Sequence, residues 1–98
     1  MTRRLVLEPE AEAEIDEAAG WYEARSPGLG PEFLRAVEGL LGAIQRNPYQ
    51  YQVVFRGVRR AALRRFPYGL MYVATAQEII VVACFHGRRN PERWQERT

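Results

Sequence analysis

Nine arginines crowd the second half of the chain, and they are its first chemical signal. Arg56, Arg59, Arg60, Arg64 and Arg65 fall within ten residues, and Arg88, Arg89, Arg93 and Arg97 follow near the end. A guanidinium keeps its charge and offers planar, paired donors that match phosphates and carboxylates. Such a cluster could hold a nucleic-acid backbone or an acidic protein segment; the plainer reading is a solvated surface. His86, the one histidine, stands directly before Gly87-Arg88-Arg89. An imidazole is the usual general acid or base near neutrality, although a strand-end histidine often does no more than bond to backbone. Tyr68 and Tyr72 have the spacing of one strand face, with Leu70 between them. They could stack on bases or supply hydroxyls, or sit half-buried in a sheet. Trp94 either meets a ligand or pins the last helix to the sheet. Cys84 reads as a core residue with nothing near it to activate a thiol. The chain has no Cys/His set for a metal, no glycine-rich phosphate loop and no nucleophile elbow, so neither a metal nor a cofactor is expected.

Those residues need elements to position them. Ninety-eight residues, 47% of them apolar, suffice for one packed domain spanning 1–98. Arg3 to Leu7 reads as a first strand. Pro9 then suits a helix start, and Ala11, Ile15, Ala18 and Tyr22 recur at the spacing of one helical face, with Trp21 beside them. The carboxylates of this helix read as its wet face. Ser26-Pro27-Gly28-Leu29-Gly30-Pro31 is a dense turn signal. A second helix follows from Pro31, its apolar face running from Phe33 and Leu34 to Ile44, and Asn47-Pro48 ends it.

The remainder reads as strands over Tyr51–Phe55, Val58–Phe66, Tyr68–Thr75 and Glu78–Phe85. In the third strand of the chain Arg60 and Arg64 would share one face, and Arg59 and Arg65 the other. Ile79 to Phe85 is apolar throughout, as expected of a central strand covered on both faces. The tail Asn90 to Thr98 is expected to carry a short last helix. The fold class is α+β: an N-terminal strand, then an antiparallel helical hairpin packed on one face of a twisted, mainly antiparallel sheet.

The charge is divided along this order. Residues 1–50 hold five arginines and nine acids; residues 51–98 hold nine arginines and three acids. No apolar run approaches the roughly 20 residues a membrane-spanning helix needs. No secretory leader is legible, because Leu5-Val6-Leu7 gives way at once to Glu8-Pro9-Glu10. A lone cysteine excludes an internal disulfide. Together these features lead us to expect a cytoplasmic protein that does not meet a membrane.

In order and spacing, several segments resemble the RelE/ParE toxin superfamily of plasmid-stabilisation proteins. They are Leu7 to Glu12, Glu14-Ile15, Trp21-Tyr22-Glu23, Pro27 to Gly30, Phe33-Leu34, Ile44 and Asn47-Pro48. Arg65-Phe66-Pro67-Tyr68, Leu70, Tyr72, and His86 to Pro91 with Trp94 and Arg97 complete the set. The resemblance implies the toxin half of a type II toxin–antitoxin pair that restrains growth, with a cognate antitoxin encoded beside it. One branch of the superfamily poisons DNA gyrase by binding; the other cleaves messenger RNA on the ribosome; an inactive relative would bind its antitoxin alone. The nuclease branch commonly carries a basic residue after the tyrosine that matches Tyr68, and a lysine at the position of Ala62. Here the first position is Gly69. The departures favour the gyrase branch. If the chain is nevertheless an endoribonuclease, His86, Arg89 and Arg65 are its candidate catalytic residues. In either case Arg59, Arg60, Arg64, Arg65, Tyr68, Tyr72, Arg88, Arg89, Trp94 and Arg97 are candidates for binding the target or the antitoxin. An apolar surface left bare without the antitoxin could be buried by forming a homodimer.

Overall fold

The computed structural model describes residues 3–89 and 91–97. Of the tail expected from Asn90 to Thr98, those two end residues lie outside the described residues. Strand β1 (Arg4–Leu7) leads into helices α1 (Pro9–Arg25) and α2 (Leu29–Arg46), and a single 3-10 turn spans Pro48–Gln50. Strands β2 (Gln52–Phe55), β3 (Val58–Ala62), β4 (Tyr68–Ala74) and β5 (Glu78–His86) follow, and α3 (Glu92–Gln95) is one helical turn. The sheet order is β1-β5-β4-β3-β2; β1 runs parallel to β5, and every other pair is antiparallel.

The helical hairpin covers one face. Pro9 opens α1, where a missing N–H costs nothing, and Ala11, Ile15, Ala18 and Ala19 form its buried stripe. Phe33, Val37, Leu41 and Ile44 do the same for α2. Between helices and sheet they meet Leu70, Tyr72, Ile79, Val81 and Cys84. A smaller cluster of Val58, Met71, Val82, Ala83, Phe85 and Trp94 lies on the other face. Thus β5 is central and covered on both faces, as its composition implies.

Two departures from the sequence reading matter for function. β3 stops at Ala62, not Phe66, and Leu63 to Pro67 form a bend. Phe66 is the cause: its ring turns into the helix-side core, 4.9 Å from Tyr22 and 5.1 Å from Phe33 between centroids. Arg64 and Arg65 therefore leave the strand and do not share its faces with Arg60 and Arg59. Second, the β4–β5 register shifts between Met71 and Tyr72, so that Met71 meets Ala83 while Tyr72 meets Val81. The extra residue, Val82, resets the alternation. Cys84 accordingly joins the helix-side cluster while Phe85 joins the opposite one.

Candidate functional site

The end of β5 divides two depressions. On the helix side a cleft of about 420 Å³ is bounded by Glu17, Trp21, Tyr22, Tyr68, His86 and Arg89, with Cys84 in its floor. On the open side a groove of about 260 Å³ is lined by Arg60, Met71, Phe85, Gly87, Arg89 and Trp94. His86 and Arg89 border both.

The turn after β5 orients this ridge. His86 Nδ1 accepts the Arg88 N–H at 3.0 Å, and the His86 carbonyl accepts the Arg89 N–H at 3.1 Å. That bond leaves Nε2 as the ring's other polar atom. The His86 ring lies edge-on to Tyr68, with centroids 5.3 Å apart. Burial, the largest influence, raises the Tyr68 phenol above its ordinary value, while the Arg89 guanidinium pulls it back down. A neutral phenol beside a histidine and a guanidinium can donate one hydrogen bond and accept another.

Of the expected site residues, Arg60, Tyr68, His86 and Arg89 are brought together around the ridge, and Arg88 is exposed on its turn. Arg64 is exposed on the bend after β3. Arg65 borders neither depression; it pairs with Glu32 of α2 at 3.1 Å. Arg59 is drawn to the sheet's far edge, where its Nη1 donates to the Tyr51 carbonyl at 2.6 Å and the Tyr49 carbonyl at 3.3 Å.

Three further residues cannot meet a partner as free side chains. Tyr72 is wholly buried and its hydroxyl donates to the Pro48 carbonyl. Burial pushes its phenol up to about 12. Trp94 is 3% exposed and packs edge-on against Phe55 at 5.9 Å, so it pins α3 to the sheet. Arg97 donates from Nη2 to Glu14 Oε2 at 2.7 Å and from Nη1 to the Val82 carbonyl at 3.1 Å. That pairing makes Glu14 an exception to the wet-face reading of the α1 carboxylates, which holds for the exposed Glu10, Glu12, Asp16, Glu17 and Glu23. Glu14 Oε1 also accepts the Cys84 N–H at 3.0 Å, because β1 ends opposite Val81 and leaves that edge of β5 without a strand.

The sequence reading missed Glu14, Glu17 and the exposed Trp21 as cleft residues. Trp21 is 51% exposed and carries the Arg25 guanidinium over its ring at 4.3 Å. An exposed tryptophan beside a core stripe was the available signal. Gly69 was read only as a missing basic residue and Gly87 only as part of the segment after His86, although both lie against Arg60.

The fold and site define a class: a small α+β domain with a helical hairpin on one sheet face, an arginine-edged open face and an adjacent aromatic cleft. The family comparisons make the assignment narrower. The model described as ParE toxin of type II toxin-antitoxin system, parDE, matches residues 5–91, and the chain belongs to that family. Toxin ParE2 from each of two Mycobacterium tuberculosis strains is 29% identical over 92 residues, covering 93% of this chain and 88% of the relative. A solved chain described as "Chromosomal ParDE TA system from P. aeruginosa" superposes with a TM-score of 0.77 at 18% identity. That match covers 87% of this chain and 96% of the other. It shares the helical hairpin and sheet. The chain is thus a ParE-like toxin of a type II system, and such a toxin has an antitoxin partner. Among the described residues, no helix is long and apolar enough to cross a membrane.

Proposed function

We propose that this chain, as a single toxin domain over residues 1–98, inhibits growth from the cytoplasm by binding DNA gyrase, and that the antitoxin prevents this by covering the ridge at the end of β5. The observation that carries the reading is the surrounding of Gly69. The nuclease branch of the superfamily commonly has a basic side chain there. In this chain a Cβ at residue 69 would stand 2.9 Å from Arg60 Nε, so the Arg60 guanidinium fills the space. Arg65, the third candidate catalytic residue, is held by Glu32 instead of facing His86 and Arg89. Cleavage through the 2′-hydroxyl needs a base, cations on the phosphate and an acid in one constellation. A binding surface needs only exposed charge and apolar anchors, and the ridge has Arg88, Arg89 and Tyr68 to offer.

Precursor incorporation tests the reading. After induction of this chain alone, thymidine incorporation is expected to fall before amino-acid incorporation, and purified chain is expected to inhibit gyrase supercoiling. Early loss of amino-acid incorporation, together with RNA cleavage lost in His86→Ala and Arg89→Ala, would replace it with the ribonuclease reading. No fall in either would make the chain an antitoxin-binding relative without toxicity.

A further inference from the structure

Arg60 sits in a slot made by two glycines. It faces the open side of β3, while its neighbour Ala61 is wholly buried under the helices. Its side chain runs across β4 at Gly69 and reaches Gly87 beyond the end of β5. A Cβ at Gly69 would lie 2.9 Å from Nε and 3.2 Å from Cζ; one at Gly87 would lie 3.5 Å from Nη2. Of the chain's glycines only Gly28 and Gly57 have a positive φ, so backbone conformation does not require glycine at 69 or 87. A glycine within a strand weakens it and often marks close approach of another group. Here that group is the guanidinium.

The slot holds a half-buried cation that has no carboxylate partner among the described residues. Withdrawing a guanidinium from water without an anion is unfavourable, and arginine cannot escape by losing its proton. Arg89 adds a second cation to the same groove, and the exposed Val54 and Pro91 supply an apolar wall above the buried Met71, Phe85 and Trp94. A phosphodiester backbone would satisfy the cations but leave that wall unused. A peptide with a carboxylate beside an apolar side chain satisfies both.

We propose that the Arg60 guanidinium, seated on Gly69 and Gly87, anchors one carboxylate side chain of the antitoxin, with a neighbouring apolar side chain of that segment against Val54 and Pro91. The proposal rests on the toxin–antitoxin reading above and specifies its contact.

The test uses the purified chain and the antitoxin encoded by the adjacent reading frame, with affinity measured by titration calorimetry. Arg60→Met keeps the stem and removes the charge; it is expected to weaken the complex by about 100-fold or more, as loss of a charge-assisted, partly desolvated pair does. Gly69→Ala keeps the charge but displaces it, and roughly tenfold weakening is expected from imperfect pairing. Thermal unfolding of each free variant guards against misfolding; if Arg60→Met melts early, Gly69→Ala decides. Reversing the charge, Arg60→Glu, should be rescued by changing one antitoxin carboxylate to arginine. Affinity within about twofold of the wild type for the folded variants would overturn the proposal. So would unchanged antitoxin affinity with weakened binding of a labelled single-stranded RNA, which would give the slot to phosphate. Growth inhibition is scored separately: a chain that binds its antitoxin but does not slow growth sinks the functional reading and leaves the Arg60 comparison intact.

Discussion

The hydroxyl of Tyr72 and the carboxylate of Glu14 each close a gap that regular structure leaves open. Tyr72 donates to the carbonyl of Pro48, which follows α2. Tyr72→Phe would leave that acceptor without its buried donor, and about 1–2 kcal/mol of stability should be lost, read by urea unfolding. Glu14 meets the Cys84 N–H and pairs with Arg97, with side chains 19% and 24% exposed. Glu14→Ala strands a backbone donor and a guanidinium together, so its cost should be larger, about 2–3 kcal/mol. Arg97→Ala should cost less than Glu14→Ala, because the Cys84 N–H keeps its acceptor. Equal losses in the two variants would mean that the ion pair alone carries the effect. The sequence shows a tyrosine on a strand and an acid on a helix, but not these partners, which lie 24 and 70 residues away.

At the scale of elements, the turn between α1 and α2 is held by one side chain. Glu23 accepts the N–H of Gly28 at 3.0 Å and of Gly30 at 2.9 Å, and those two bonds hold its carboxyl below the ordinary carboxylate range. Gly28 has φ of 92°, in the region that favours glycine, and a Cβ at Gly30 would stand 2.9 Å from the Ala19 carbonyl. Because the folded-state pKa is depressed, the cap's stabilisation is present above the unfolded value of 4.5 and is lost as pH falls through the folded one. Glu23→Gln should therefore lower the melting temperature at neutral pH, with the gap from wild type closing as pH drops below that value. A gap that stays constant into acid would show that charge plays no part in the cap. The hairpin itself was legible, because Pro9, the Pro27–Pro31 turn and Asn47-Pro48 punctuate two periodic runs. The phase of β5 was not. Ile79 to Phe85 is apolar throughout, so no alternation reveals the extra residue that puts Cys84 on the helix side and Phe85 on the other. The end of β3 was hidden too: Arg64 and Arg65 continue an alternating pattern that Phe66 breaks only by packing between Tyr22 and Phe33.

On the scale of the whole molecule, the unequal halves of the sequence become unequal surfaces. Acids line the exposed side of α1, and arginines gather at the open face and the turn after β5. The opposite sheet edge is different in kind. β2 is the terminal strand, so the backbone groups on its outer side meet no strand, and it is Gln52-Val53-Val54-Phe55, without a charge. Val53 is 46% and Val54 42% exposed, and Tyr49 beside them is 54% exposed. Edges of this composition tend to pair with another strand, and with no charge or proline in β2 the one device against it is the register irregularity between Val53 and Phe55. We infer that the free chain self-associates edge to edge through β2. Sedimentation of the chain alone should show a concentration-dependent dimer, and Val53→Lys should return it to monomer because lysine on an edge opposes pairing. Val53 is 46% exposed, so the substitution removes little from the core, and an unchanged melting temperature for the monomeric form would confirm that association, not folding, was altered. The two surfaces also respond to salt in opposite ways. Association with the antitoxin through Arg60 and Arg89 should weaken as ionic strength rises, since screening shortens the reach of exposed charges. Pairing of uncharged β2 strands should hold or strengthen, because it brings two net-positive chains together. A dimer that dissolves with added salt, and survives Val53→Lys, would place the self-contact between the arginine face of one copy and the acidic side of α1 of the other, where it would compete with the antitoxin.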